Sequence, residues 1–254
     1  MVRHSRGGVL EVEERAFAAW PAEEVRALAG WQLRYTPLPS RRTRSVWPGR
    51  AEGGLSLERR LEEVESFYRT HNARPLYQLS PIAQPIGLDL VLSEHGYAVE
   101  APTSVLTGAP QAACHQPRPG IGVTVETELF DTWFEISAHR GRFASVSEGY
   151  RRLLGRLSGR SAYALAEING EPAAVGLGVV DGNWMGIFSM LTVPEHRRRG
   201  LAAAVLGGLA GFARVRGIEH LYLQVEHDNA AALALYRASG LAELYRYHYR
   251  YLPR

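Results

Sequence analysis

The segment Thr192-Val193-Pro194-Glu195-His196-Arg197-Arg198-Arg199-Gly200-Leu201-Ala202 joins the end of a strand-like stretch to the start of an apolar helical pattern. Its loop has arginine at the first position, Arg197, glycine at the fourth and a small residue at the sixth. The first N–H groups of a helix have no partner within the helix, and the helix dipole favours negative charge beside them. The segment therefore predicts a phosphate-binding turn, with a solvated basic turn as the alternative.

Other phosphate motifs fit this segment poorly. It has no lysine followed by serine or threonine, which a Walker-type nucleotide loop requires, and it lacks the G-x-G-x-x-G of dinucleotide sites. Gly200 allows a ligand to approach the backbone closely, and Ala202 keeps the first helical turn narrow. The loop is therefore a phosphate site of another kind.

Outward from this loop, strand and helix patterns surround it on both sides. Asn169-Gly170 and Asp181-Gly182 are strong hairpin signals between three β-type stretches, which predicts an antiparallel meander. Downstream, Gly217 and Gly240 end two helices. The predicted strands are 123–126, 161–168, 173–180, 184–193, 219–225 and 241–251, and the predicted helices are 133–139, 147–157, 201–216 and 229–238.

This order of elements resembles the GNAT superfamily of acyl-CoA-dependent N-acetyltransferases, when it is taken with Asn229 and the stretch Leu235-Tyr236-Arg237-Ala238-Ser239-Gly240-Leu241. In that family an R/Q-x-x-G-x-G/A loop holds the pyrophosphate of coenzyme A, and the preceding strand pairs with the pantetheine arm. A tyrosine in an L-Y-x-x-x-G-F signature lies near the sulfur. Ala202 replaces the more usual glycine and Leu241 the usual phenylalanine, and both keep the steric requirement. The resemblance covers about residues 120–254.

The resemblance implies acetyl-CoA as the cosubstrate. Asn229 is most simply the N-cap of its helix, and a second role in binding the cofactor arm comes from the family alone. The residues carried over as cofactor-binding are Met190, Leu191, Thr192, Val193, Arg197, Arg198, Arg199, Gly200, Leu201, Ala202, Ala203 and Asn229.

Two residues are the catalytic candidates. Tyr236 is expected to protonate the leaving thiolate, because its ordinary pKa of about 10 exceeds the roughly 8.5 of a thiol, and we expect this transfer to be favourable. A buried, packed tyrosine is the alternative. Glu226, at the end of a predicted strand, is the candidate base that deprotonates an ammonium acceptor. Water is a further option, as are four neighbouring or nearby side chains: His227, Asp228, Glu135 and His139.

An internal repeat links the two halves of the chain. Pro194 is followed by Gly200-Leu201, Leu221-Tyr222 and Gly240, and Pro48 is followed at spacings within two residues of these by Gly54-Leu55, Leu76-Tyr77 and Gly96. Helical patterns between the landmarks also match. We therefore expect an α/β fold of two tandem GNAT-like units: residues 1–108 as a degenerate unit, 109–119 as a proline-rich linker and 120–254 as the acetyltransferase domain.

The first unit lacks the features that the cofactor needs. Where the second unit has Arg197–Ala202, the first has Ala51-Glu52-Gly53-Gly54-Leu55-Ser56, which places a carboxylate where pyrophosphate would lie. Opposite Tyr236 it has Leu92, which cannot donate a proton. We expect coenzyme A to bind the second unit only.

Composition excludes several classes of protein. The 254 residues are 46% hydrophobic and 22% charged, which is typical of a globular protein. No apolar run is long enough for a membrane span or a secretory signal, and the one cysteine, Cys114, fits a reducing compartment, so we expect a cytoplasmic protein. The nine histidines show no metal-ligand spacing, and we expect no metal.

All 29 basic residues are arginine, and the formal net charge of +3 is spread evenly. Residues 1–119 hold 14 Arg and 13 acidic residues, and residues 120–254 hold 15 and 13, so neither half is a dedicated nucleic-acid binder. Tyrosines alternate with Arg and His from Tyr245 to Tyr251, which predicts a strand with one tyrosine face rather than a stacking surface for nucleic acid.

The sequence therefore predicts an N-acetyltransferase that moves the acetyl group of acetyl-CoA to a primary amine by direct attack. The acceptor is expected to be a small-molecule amine or a protein N-terminus. The alternative is a coenzyme A-binding sensor or scaffold that performs no chemistry.

Overall fold

A computed structural model gives the fold and describes residues 6–50, 53–141 and 143–253. Its residues group by contact into two compact units, residues 1–104 with 244–254 and residues 105–243. This grouping differs from the predicted domains in that it assigns residues 244–254 to the first unit. The predicted boundaries at 108 and 120 stay a prediction, because spatial grouping does not by itself identify the two repeated segments.

Strands of the first unit lie in the spatial order β1-β2-β3-β4-β11. Strands β1 to β3 are antiparallel, β3 is parallel to β4 at Val46 and Tyr77, and β4 is antiparallel to β11. The elements are α1 Arg6–Ala19, β1 Glu24–Leu28, β2 Trp31–Tyr35, β3 Val46–Trp47, α2 Leu57–Thr70, β4 Leu76–Leu79, α3 Leu88–Glu94, β5 Ala98–Gly108 and β11 Ala242–Tyr251, of which the last two cross the unit boundary.

Helix α2 supplies much of the core of this unit. Its apolar residues recur at helical spacing, and Val64 and Tyr68 are fully buried against Trp31, Tyr77 and Leu92. The edge of Trp31 meets the ring of Tyr77 at a centroid distance of 6.1 Å. This helix agrees with the helical pattern found between the landmarks of the first repeat.

The second unit contains the spatial order β10-β9-β8-β7-β6. Strands β7 to β9 form the predicted antiparallel meander, β6 is antiparallel to β7, and β10 is parallel to β9. The elements are α4 Pro110–Ala113, β6 Ile121–Glu126, α5 Asp131–His139, α6 Ser147–Gly155, β7 Ser161–Ile168, β8 Glu171–Asp181, β9 Trp184–Thr192, α7 Leu201–Val215, β10 His220–Glu226 and α8 Ala230–Ala238.

Local turn chemistry explains the first hairpin of the meander. Asn169 and Gly170 both have positive φ, 53° and 83°, which is the backbone of the two-residue turn that Asn-Gly favours. The region predicted as a linker without regular structure contains the short helix α4, which begins with Pro110. Proline suits that position because a helix start does not use its N–H.

Helices cover both faces of the second sheet. Gly176 on β8 faces α7, because a Cβ there would lie 2.5 Å from Val205 Cγ1. The next residue, Leu177, faces the opposite side, where its register partner Tyr163 meets Trp133 of α5 at a centroid distance of 5.0 Å. The predicted mixed α/β fold is confirmed.

The same order of elements occurs twice along the chain. The series β3-α2-β4-α3-β5 and the series β9-α7-β10-α8-β11 each run strand, helix, parallel strand, helix, strand. This agreement supports the internal repeat. None of the helices in the described ranges is long and apolar enough to cross a membrane.

Candidate active site

Strands β9 and β10 stop pairing before they end. Their parallel ladder runs from Trp184 with His220 to Ile187 with Leu223, whereas β9 continues to Thr192 and β10 to Glu226. Residues 189–192 are half-buried along this stretch. The main-chain groups of β9 beyond Ile187 therefore line an opening between two parallel strands, at which an extended ligand can hydrogen-bond.

A β-bulge lies at the start of this opening. Leu177 of β8 pairs with Phe188 and Val175 pairs with Leu191, so that Ser189 and Met190 together stand opposite the single residue Gly176. Ser189 has φ of 48°, which is uncommon for a residue other than glycine. A bulge bends its strand, and this one lies just beyond the last residue of β9 that pairs with β10.

Helix α7 begins just beyond the end of β9 with its N–H groups uncapped. Gly200 is the N-cap residue, has φ of 93° and supplies no side-chain hydrogen bond. The N–H groups of the first helical turn, which includes Leu201, Ala202 and Ala203, therefore have no side-chain partner from the cap. This start fits an anion, as the sequence predicts.

Arginines surround this helix start, and two of them are available to a ligand. Arg197 Nε lies 3.4 Å from the carbonyl oxygen of Thr192, and a guanidinium nitrogen of Arg199 lies 3.1 Å from Nδ1 of His196. Within the described residues, the guanidinium groups of Arg198 and Arg118 make no hydrogen bond or ion pair. Sequence reasoning missed Arg118, because it lies in the segment that was predicted to be a linker.

The corresponding helix of the first unit satisfies its own N-terminus. Ser56 is the N-cap of α2, and its hydroxyl accepts a hydrogen bond from the N–H of Arg59 at 3.3 Å. Glu58 in the first turn has a lowered pKa, because its carboxylate accepts from its own N–H and from the Ser56 hydroxyl. The predicted carboxylate at Glu52, with its neighbour Ala51, lies outside the described residues, whereas Ser56 and Glu58 leave an anion little to bind.

Tyr236 lies on α8 with its ring buried. Burial raises the pKa of Tyr236 to about 12, and its hydroxyl makes no hydrogen bond with any described residue. An acid with a higher pKa than the thiol gives up its proton uphill, here by roughly 5 kcal/mol. The expectation of a favourable transfer is therefore wrong, and the role of Tyr236 as an acid stays a prediction. Leu92, its expected counterpart, is fully buried in the core of the first unit.

Asn229 and Glu226 both follow Leu223, the last residue of β10 that pairs with β9. The side-chain oxygen of Asn229 accepts from the N–H of Ala232 at 3.1 Å, which confirms it as the N-cap of α8. Glu226 is half-buried at the end of β10, three residues beyond Leu223, and its carbonyl accepts from the N–H of Asn229 at 3.1 Å. The catalytic role of Glu226 stays a prediction.

The candidate bases on α5 interact with each other. His139 Nδ1 lies 2.6 Å from Glu135 Oε2, one helical turn away, and both side chains are exposed. Across the described part of the chain, no group of three or more His, Cys, Asp or Glu side chains is arranged to hold a metal ion.

Comparison with known proteins identifies relatives along almost the whole chain. The sequence model of the family described as "Probable histone acetyltransferase Rv0428c C-terminal" matches residues 8–252. The chain is 26% identical over 248 residues to the "Uncharacterized N-acetyltransferase YobR" of Bacillus subtilis, covering 95% of this chain and 98% of that protein. It is 36% identical over 75 residues to the "[Ribosomal protein bS18]-alanine N-acetyltransferase" of Escherichia coli, covering 30% of this chain and 51% of that protein.

Solved structures share the fold. A GCN5-related N-acetyltransferase from Kribbella flavida has a TM-score of 0.74 at 15% identity, covering 100% of this chain and 97% of that one. A tandem GNAT protein from the clavulanic acid biosynthesis pathway has a TM-score of 0.62 at 18% identity, covering 82% and 74%. At these identities the similarity shows the fold alone.

Proposed function

This chain belongs to the family described by the Rv0428c C-terminal acetyltransferase region and is a GNAT-superfamily N-acetyltransferase, and on that premise we propose that it transfers the acetyl group of acetyl-CoA to a primary amine by direct attack. The observation that carries the proposal is the uncapped start of α7 directly beyond the end of β9, where β9 no longer pairs with β10. The start of α7 binds the phosphates of the cosubstrate, and the end of β9 binds its extended arm.

Residues of the second unit fit the two ends of acetyl-CoA. The N–H groups at Gly200–Ala203 and the guanidinium groups of Arg198 and Arg118 suit the pyrophosphate, because each donates to an anion. The main chain of Met190–Val193 suits the amides of the pantetheine arm, because it has no partner on β10. When bound, acetyl-CoA supplies a thioester whose carbonyl carbon accepts the amine.

The chain's own groups act on three atoms whose charge changes during transfer: the carbonyl oxygen, the leaving sulfur and the nitrogen of the amine. Backbone N–H groups of β9 beyond the bulge stabilise the carbonyl oxygen as it becomes negative, and one such donor typically contributes about 3 to 4 kcal/mol. Tyr236 stays protonated and donates a hydrogen bond to the leaving sulfur, rather than transferring its proton fully. Glu226 or water takes the proton of the amine.

We propose the acceptor by its chemical class. We place it among small-molecule amines and protein N-termini, and the family's description, which names a probable histone acetyltransferase, adds a histone to this set. The ribosomal N-acetyltransferase aligns with only 75 residues of this chain, so its acceptor is one candidate among these. The named activity of the relatives favours an enzyme over a coenzyme A sensor without chemistry.

Thiol release tests the reaction. The full chain is incubated with acetyl-CoA and separately with simple amines, amino acids, an aminoglycoside, a peptide with N-terminal alanine and a lysine-containing basic peptide. We expect release of free thiol above the acceptor-free rate with at least one class, together with an acetylated product by mass. Binding of coenzyme A with no turnover on any of these acceptor classes would instead support the sensor.

Calorimetry tests where the cosubstrate binds. We expect one coenzyme A per chain, because Ser56 and Glu58 occupy the N-terminus of α2 whereas nothing caps α7. Gly200→Glu should abolish binding by placing a side chain with a negative charge at the helix start. Two sites per chain, or full affinity in this variant, contradicts the assignment.

A further inference from the structure

Three hydroxyl groups connect two helices to the bulge of β9. The hydroxyl of Tyr150, on α6, lies 2.8 Å from Ser137 Oγ on α5 and 2.9 Å from Ser189 Oγ on β9. Ser189 is the bulge residue with φ of 48°. The hydroxyl chain therefore ends at the position where β9 separates from β10.

The ring of Tyr150 cannot readily move, because it is fully buried between two aromatic side chains. It stacks on Phe143 at a centroid distance of 4.2 Å and on Phe134 at 6.1 Å. A buried ring in such contacts keeps its hydroxyl at a fixed place. Ser189 is consequently tied to a rigid point on α6.

Strand β8, which lies opposite the bulge of β9, is also held by a side chain from a helix. Gly176 has no register partner on β9 because of the bulge, and its carbonyl accepts a hydrogen bond from Trp133 Nε1 at 3.0 Å. Trp133 is fully buried on α5. Both strands at the bulge are therefore fixed by side chains from the helices that precede the meander.

A bulge of this kind needs such support. A non-glycine residue in the left-handed region costs about 1 to 2 kcal/mol, and it persists only where surrounding contacts determine it. The residues directly after Ser189 lie on the stretch of β9 that has no partner on β10, and the direction of their N–H groups depends on the bulge. A change in the φ of Ser189 would redirect them.

We propose, on the basis of the function proposed above, that Tyr150 is a positioning residue for acyl transfer, which fixes Ser189 and thereby aims a backbone N–H of the β9 stretch that follows it at the carbonyl oxygen of the thioester. Tyr150 takes no proton in this role. It acts through the shape of β9, and Ser137 holds its hydroxyl from the other side.

Tyr150→Phe tests the proposal, because it keeps the stacked ring and removes only the hydroxyl. The matched control is Tyr163→Phe, which removes the hydroxyl of another buried tyrosine of the same unit. We expect Tyr150→Phe to lower kcat at least tenfold, with the affinity for coenzyme A and the KM for the acceptor changed less than threefold. The pH dependence of kcat should be unchanged. The control should keep wild-type kcat.

Hydrogen exchange gives a readout that does not need turnover. In the full chain, Tyr150→Phe and Ser189→Ala should both speed amide exchange in residues 184–193, and the double variant should lose no more activity than either alone. Exchange in α7 should not change. If the wild-type chain acetylates no amine, the proposed function fails while the exchange result still tests the link.

Three outcomes would overturn the inference. One is wild-type kcat in Tyr150→Phe on an acceptor that the wild-type enzyme acetylates. The second is unchanged exchange in β9 in both single variants. The third is a shifted pH profile of kcat in Tyr150→Phe, since this would make Tyr150 part of a proton relay.

Discussion

The side chain of Arg118 lies directly against Gly200: its Cδ and Nε are each 3.2 Å from the place that a Cβ on Gly200 would take. Glycine is therefore needed here for two reasons, the φ of 93° and the space that Arg118 fills. The same contact places an unpaired guanidinium beside the uncapped N-terminus of α7.

Gly200→Ala should weaken coenzyme A binding at least tenfold, measured by calorimetry, because the new methyl group displaces Arg118 and strains the turn. The matched control is Gly217→Ala at the other end of α7, where φ is 71° and nothing lies within 4 Å of the added Cβ. Both variants should lose about 1 to 2 kcal/mol of stability from the left-handed backbone. Equal losses of affinity in the two variants would contradict a role for this helix start.

Arg118→Gln should weaken coenzyme A binding by about fivefold, since an exposed charge-assisted hydrogen bond contributes about 1 kcal/mol. Arg214→Gln, on the exposed surface near the C-terminal end of α7, is the control and should change nothing. The difference between the two variants should shrink as salt is raised. Calorimetric titrations at two salt concentrations check this, and an unaffected Arg118 variant would remove this residue from the site.

Tyr236→Phe should lower kcat by about 10- to 100-fold, which is the loss expected when one hydrogen bond to a developing negative charge is removed. The affinity for coenzyme A and the melting temperature should hardly change, because the hydroxyl has no hydrogen-bond partner among the described residues. A pKa of about 12 keeps the hydroxyl protonated, so its ionisation should not lower kcat/KM below about pH 11. Wild-type kcat with chemistry rate-limiting would mean that the Tyr236 hydroxyl does not stabilise the leaving sulfur.

Glu13→Gln should keep the fold and change its pH dependence. Glu13 is buried in the first unit, where its carboxylate accepts from Trp47 Nε1 at 2.7 Å, from Gln78 Nε2 at 3.3 Å and from the Tyr245 hydroxyl. Burial raises its pKa, so its contribution to stability is present below about pH 4.5 and is lost as the pH rises through the folded-state value. The variant should therefore gain melting temperature relative to wild type as the pH rises above about 4.5, the ordinary pKa of this carboxyl.

Glu13→Ala is the contrasting variant, because it leaves the buried Trp47 N–H and Tyr245 hydroxyl without this acceptor. It should cost about 2 to 5 kcal/mol of unfolding free energy. Thermal unfolding across the pH range measures both variants. Equal destabilisation by Gln and Ala would show that the negative charge itself holds the first unit together.

Local chemistry made the elements around the site predictable from the sequence. Asn169-Gly170 adopts the backbone that this pair favours, Asn229 caps its helix, and the predicted ends of α7 and β10 agree with the structure within two residues. Each of these features depends on side chains a few positions apart. The same holds for the alternating tyrosines of β11, three of which are buried.

Features that depend on distant residues could not be predicted. The bulge at Ser189 is held by Tyr150, which lies 39 residues earlier, and nothing in the pattern of β9 marks it. The segment with Arg118 lacks regular periodicity, and its contact with Gly200 spans about 80 positions. The sequence likewise suggests that residues 120–254 are one domain, because no local pattern shows which strand pairs with β11. That pairing depends on the order of the strands in the sheet.

The pairing of β11 with β4 has a consequence for synthesis of the chain. Leu76–Leu79 are made early, yet they pair with Tyr251–His248, which follow the whole second unit in the sequence. Domains generally fold as they leave the ribosome, at about 5 to 20 residues per second, so β4 must wait roughly 10 to 30 seconds for its partner. The unit that emerges first is thus the one completed last. During that interval the edge of β4 is open to other strands, which makes it the place where misassembly during translation should begin.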